Sequence, residues 1–178
     1  MFFLATWEVF LFSLNAAIVF KVLYVQDIGG ALTIHMFGAF YGLSASWWFS
    51  KKKDREARTE EARTKPGYMS QTIAMLGTLF LFMYWPSFNA ALAEGVAQQR
   101  SVVNTYIGIS ASVLTSCFIA AICKGKFDWE VMLNATLAGG VAQGACCDMI
   151  TYGVYSFLIG MIAGTVSCIG YLYANPCC

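Results

Sequence analysis

A single histidine, His35, stands in the 178-residue chain, inside "DIGGALTIHMFGAFYGLS" and within a run from Ile28 to Ser50 that holds no charged side chain. A neutral imidazole offers one hydrogen-bond donor and one acceptor. Set among apolar residues, it suits a small molecule that both gives and accepts a hydrogen bond, as ammonia does. In hydrocarbon a charged ring is costly, so the neutral form is expected, and an ionisable group inside a membrane span more often marks a pathway than a packing contact. The competing reading is an imidazole hydrogen-bonded to a neighbouring helix.

Two neighbourhoods can act with it. Asp27 precedes "IGG", where a carboxylate caps the first turn of a helix and interacts with its positive dipole end. The same charge can attract or orient a cation. On a straight helix the eight-residue spacing puts Asp27 and His35 about 12 Å apart, too far for a direct pair. The second neighbourhood is "YWPSFNAAL", residues 84–92, where Pro86 removes a helical hydrogen bond, nominally to Phe82, and Trp85, Phe88 and Asn89 surround it. Either the helix simply kinks or its bent end lines a cavity. Depth counting from the outer helix ends puts His35 about 10 Å and Phe88 about 8 Å below the surface, so Phe88 is expected as an apolar lid over the ring.

No catalytic constellation accompanies this histidine: no acid or nucleophile is paired with it at hydrogen-bonding spacing, so an enzyme is not expected. The seven cysteines show no CxxC spacing and no partner histidine, so neither a metal nor any other cofactor is expected. Most of the cysteines are read as small apolar packers. Cys177 and Cys178 are candidates for S-palmitoylation. Asn134-Ala135-Thr136 matches a glycosylation acceptor but falls on the inner side of the membrane, where it is not used.

The elements that must carry these residues are membrane helices. Hydrophobic residues make up 58% of the chain and charged residues 12%, with a mean hydropathy of +0.62. Soluble domains average about 45–50% apolar and about 25% charged, so the excess points to lipid as the solvent. A net charge of +1 gives no field for nucleic acid. Cutting the chain at its charges leaves six spans, at about 4–25, 28–50, 69–93, 101–123, 129–148 and 152–175, with a charged loop at 51–67. The expected fold class is an all-α membrane protein of about six transmembrane helices. Nine of the eleven basic residues fall between spans two and three or between four and five. The positive-inside rule makes that side, and both chain ends, cytoplasmic, and Trp47, Trp48 and Trp129 fit an aromatic belt there. Small residues crowd spans five and six, including Gly139, Gly140 and the Gly160–Gly164 pair, which predicts close helix packing. The run 51–67 reads as a solvated loop. No signal peptide is expected, and both ends read as cuts through a longer chain.

"DIGGALTIHMFGAFYGLS", "AMLGTLFLFMYWPSFNAAL", "VVNTY" and "NATLAGGVAQG" together resemble the Rh branch of the Amt/Rh/MEP ammonium transporter superfamily, in family order along the whole chain. The resemblance implies a partial ammonium-transporter fold, the end of the first inverted repeat plus most of the second. It implies trimers, homo- or heteromeric, with a hydrophobic pore in each subunit for ammonium or ammonia, in the plasma membrane. It implies that His35 is the first of two pore histidines, Asp27 the helix-start aspartate and Phe88 a residue of the external gate; Trp85 and Asn89, from the surroundings of Pro86, complete the candidate pore residues. The second pore histidine would lie in a span after Cys178, so the chain alone is expected to be inactive, and the exposed faces of His35 and Asn89 to meet lipid. Rh transporters often carry Asn-Glu where this chain has Asn15-Ala16, which removes an acid from the outer vestibule. With the ending "NPCC", that departure keeps a second reading open: a non-conducting, blood-group-like Rh subunit with a structural, complex-forming role. Retention of the pore histidine argues against it.

Overall fold

The computed structural model describes residues 2–49 and 67–174. The basic loop and Cys177–Cys178, on which the sidedness and palmitoylation readings rest, lie outside the described residues. Among the described residues six α-helices occur, in chain order α1 (Phe2–Ala17), α2 (Phe37–Phe49), α3 (Tyr68–Asn89), α4 (Gly95–Lys124), α5 (Trp129–Gly144) and α6 (Gly153–Ile169). Wider π-helical turns extend three of them, Ile18–Val22 after α1, Ala31–Met36 before α2 and Gly170–Ala174 after α6. No strand occurs among the described residues. The protein is an all-α, multi-pass membrane protein.

Three helical stretches, Phe2–Val22, Gly95–Lys124 and Gly153–Leu172, are long and apolar enough to cross a membrane by length and composition. The other three differ from the sequence expectation for physical reasons. At 16 residues, α5 spans about 24 Å, short of a 30 Å hydrocarbon core. The span expected from residue 28 becomes helical only at Ala31, because Gly30 sits at φ +69 and breaks the regular backbone. Helix α3 ends at Asn89, short of the expected residue 93, and Pro86 lies within its last turn.

The interior is small and polar while the large apolar side chains face outward. Ser101, Thr105, Ser112, Ser116, Gln143 and Ser156 are fully buried, whereas Phe40, Leu114, Phe118 and Ile162 are each about two-thirds exposed. That distribution is what lipid demands: it supplies no hydrophobic drive between helices, so they associate through close backbone approach and interhelical hydrogen bonds. Gly160 of α6 lies against the Gly108 backbone of α4, and Gly164 lies against that of Ser112 one turn on. Ser112 Oγ donates to the Ala135 carbonyl at 2.7 Å, Ser116 Oγ to Gly164 at 2.8 Å, and Gln143 Nε2 to Ser156 at 2.9 Å. Helices α4, α5 and α6 thus form the tight centre. Helices α1 and α2 pair beside it through Asn15 Nδ2 to the Thr33 carbonyl (3.1 Å) and Tyr41 Oη to the Leu4 carbonyl (2.7 Å).

Where α4 gives way to α5, Gly125 takes φ +65 and Asp128 caps α5, accepting from the Glu130 amide at 3.1 Å. Lys124 Nζ lies 2.8 Å from the same carboxylate. Partial burial would raise the Asp128 carboxyl, but the Lys124 ammonium and the α5 amides outweigh it and hold the group below the ordinary carboxylate range.

Candidate functional site

The site is built at the start of α2. Oδ2 of Asp27 accepts from the amides of Leu32 (2.9 Å) and Thr33 (2.8 Å) and from Thr33 Oγ1 (2.8 Å). Asp27 therefore caps the helix from four residues upstream of its first turn, with Ile28-Gly29-Gly30 forming the reach between them. The straight-helix separation from His35 does not apply, since residues 27–30 are a turn. Gly29 donates its amide to the Gly144 carbonyl at 2.7 Å, and a Cβ there would lie 2.6 Å from Gly144 Cα. The entry to α2 is thereby pinned to the end of α5.

His35 belongs to the π-helical turn, and its amide reaches back to the Gly30 carbonyl at 3.1 Å. The wider turn rotates the residues after Gly30 away from regular α-helical register, a device that recurs at functional sites. The ring is half-buried. Its centroid lies 5.8 Å from the Trp85 ring and 5.9 Å from that of Phe88, both tilted against it. Nε2 is buried and has no hydrogen-bond partner. On its other side His35 borders an open groove of about 660 Å³ between α2, α5 and α6, lined by Ala31, Ala39, Ala138, Val141, Ile159, Ala163 and neighbours of similar character. Of the thirteen residues around the groove only His35 and Ser167 bring polar side chains.

The structure separates the five residues singled out from sequence. His35, Trp85 and Phe88 meet as three rings. Phe88 is 44% exposed, while Trp85 is buried with its indole Nε1 unpartnered. Asp27 is buried and spends one oxygen on the cap. Asn89 requires a correction: it does not face lipid or line the groove but is completely buried, donating from Nδ2 to Thr105 Oγ1 (3.2 Å) and to the Gly140 carbonyl (3.1 Å). The physical reason is its place in α3, one turn after Trp85 on the face that packs against α4 and α5. Sequence reading did not single out the α5 and α6 groove residues as a site, and it read Gly140 only as part of a close-packing run. "LAGGVA" marks close packing, but nothing in its pattern shows which element it packs against. Among the described residues no group of three His, Cys, Asp or Glu side chains gathers to hold a metal.

Chemically, a ring with an unsatisfied buried nitrogen, apolar walls and a tied-down carboxylate can hold a small neutral hydrogen-bonding molecule. Its one carboxylate, Asp27, engages the start of α2 through Oδ2 and leaves Oδ1 without a partner.

The Ammonium Transporter Family model matches residues 2–176. The chain is 43% identical to the ammonium transporter Rh type C of Xenopus laevis over 173 residues, 96% of this chain and 36% of that protein. It is 41% identical to the human Rh type C protein over the same length, again 96% against 36%. A solved structure of Nitrosomonas europaea Rh50, described with a mechanism of conduction by the Rhesus family of channels, superposes with a TM-score of 0.80 at 31% identity, over 93% of this chain and 44% of that one. The chain thus spans a little over a third of the length of the curated relatives it matches.

Proposed function

The chain belongs to the Ammonium Transporter Family, in its Rh branch, and from that premise we propose that residues 1–178 form one wall of an ammonia-conducting path in which His35 receives the neutral molecule. The observation that carries this reading is the state of His35: a half-buried ring with an unpartnered Nε2, flanked by two aromatic rings and bordering an apolar groove. A buried polar atom without a partner costs free energy unless something fills it. A passing ammonia molecule does so without carrying a charge into hydrocarbon.

Phe88 acts as the apolar lid at which ammonium gives up its hydration shell, its proton passing to that outer water, so that the neutral molecule reaches the ring. Trp85 buttresses the imidazole, and Asp27 fixes the turn from which it projects. The groove is open along one side, and its alanines leave room for close backbone approach. A further helix of the full-length protein lies along it and narrows the groove to a path; by resemblance that helix carries the second pore histidine. The assembly is a homo- or heterotrimer of Rh-family subunits in the plasma membrane, and it transports without catalysing a chemical conversion.

The test is ammonia or methylammonium flux in proteoliposomes made with the full-length protein. Flux above that of empty liposomes, lost in H35A, supports conduction. Flux no greater than that of empty liposomes overturns it. The non-conducting subunit remains the second reading because Ala16 stands where Rh transporters often carry an acid. Sequencing the parent transcript past Cys178 separates the two: a second pore histidine favours conduction, and its absence favours the structural subunit.

A further inference from the structure

We propose that Gly140 is a positioning residue for His35, acting through Trp85. Helix α3 presents Trp85 and Asn89 one turn apart on one face, and both end on the same residue of α5. The Asn89 amide donates to the Gly140 carbonyl at 3.1 Å. The Trp85 indole fills the space where Gly140 lacks a side chain. A Cβ built on Gly140 would collide with the indole, lying 2.5 Å from Cδ2 and 2.8 Å from Nε1, closer than real Cβ atoms come. Neither partner has slack. Trp85 is 7% exposed, Asn89 is fully buried, and the indole is a rigid ring. His35 rests against that same ring system, 5.8 Å away between centroids. Gly140 therefore sets how far Trp85 stands from α5, and with it the orientation of the imidazole that borders the groove. Because Asn89 holds the Gly140 carbonyl, α3 cannot slide along α5 to relieve an added methyl group. The methyl must instead displace the indole, and with it the ring against which His35 rests.

The flux part of the test rests on the transport reading; the spectroscopic part does not. Full-length protein is labelled with [15N]histidine, and the His35 resonances are assigned by their loss in H35A. In G140A these resonances are expected to shift beyond their linewidth. In the W85F background, where the smaller ring leaves room for the methyl, adding G140A is expected to leave them in place. Flux per assembled protein should fall about tenfold on G140A alone, but less than about twofold when G140A is added to W85F, as overpacking and double-mutant coupling require. A structural defect alone would lower assembly without giving this background-dependent shift. Should G140A fail to assemble, N89S removes the bond to the Gly140 carbonyl without adding bulk and is expected to move the same resonances. Unmoved His35 resonances in G140A, or in N89S if it must stand in, overturn the proposal, as does an equal shift in the W85F background. Resonances that behave as expected in a protein with no flux above empty liposomes uphold the positioning role and overturn the transport reading instead.

Discussion

At the residue scale the site sets one polar ring, its Nε2 without a partner, against two aromatic rings and a largely apolar groove. Phe88 contributes shape and an apolar face, so a charge in its place changes the entry barrier directly. Phe88→Asp in the full-length protein is expected to lower methylammonium uptake by about tenfold or more, the cost of an ionised carboxylate at a narrow apolar passage. Unchanged uptake in proteoliposomes would remove Phe88 from the entry. Asn89 acts differently. Its truncation to alanine leaves the Gly140 carbonyl and Thr105 hydroxyl without their buried donor and is expected to cost about 1–3 kcal/mol of stability, read as a lowered unfolding midpoint in detergent. His35 and Asp27 could be singled out from sequence because one is the chain's single histidine and the other precedes a helix, and Phe88 because depth counting sets it beside His35 near the Pro86 bend. The true environment of Asn89 could not: an asparagine in "WPSFN" reads equally well as facing a cavity or a neighbour, and only the rotation of α3 about its axis decides.

At the element scale, helices were legible from runs without charge, while their ends were not. Gly30 starts α2 late through its positive φ, and α3 ends at Asn89 with Pro86 in its last turn, local backbone geometry that hydropathy does not register. The helix faces were also hidden, since the apolar residues run all round each span and no moment points inward. The small-residue seam was the exception, and it carries a strong expectation. Valine at Gly160 would drive its side chain into the Gly108 backbone and separate α6 from α4. The variant is expected to lose about 1–3 kcal/mol or fail to assemble, measured by thermal unfolding, and unaltered stability would contradict the observed packing. At the α4–α5 junction the carboxylate of Asp128 is held below its ordinary range, chiefly by Lys124 against the opposing effect of burial. A depressed folded-state value means that the stabilisation is present at neutral pH and lost as pH falls below the unfolded carboxylate range and through the folded value. Asp128→Ala should therefore cost about 1 kcal/mol at pH 7, as for other lost helix caps, and the gap from wild type should close on acidification. A gap that persists in acid would show that Asp128 works by packing rather than charge.

At the scale of the whole molecule, an interior of serines, glycines and amides inside a shell of phenylalanine and leucine is a protein built for lipid, and an apolar groove runs past its one histidine. Asp27 on the turn, the Gly29–Gly144 bond and the α3–α5 contact through Asn89 and Gly140 all converge on the placement of that ring. The measurement that tests the central claim most directly is ammonia flux in proteoliposomes holding the full-length protein, wild type against His35→Ala, at matched amounts of correctly assembled protein. The account predicts a loss of about tenfold or more, the worth of a buried hydrogen bond that only the imidazole can supply to the passing molecule. Flux in His35→Ala equal to wild type would contradict it.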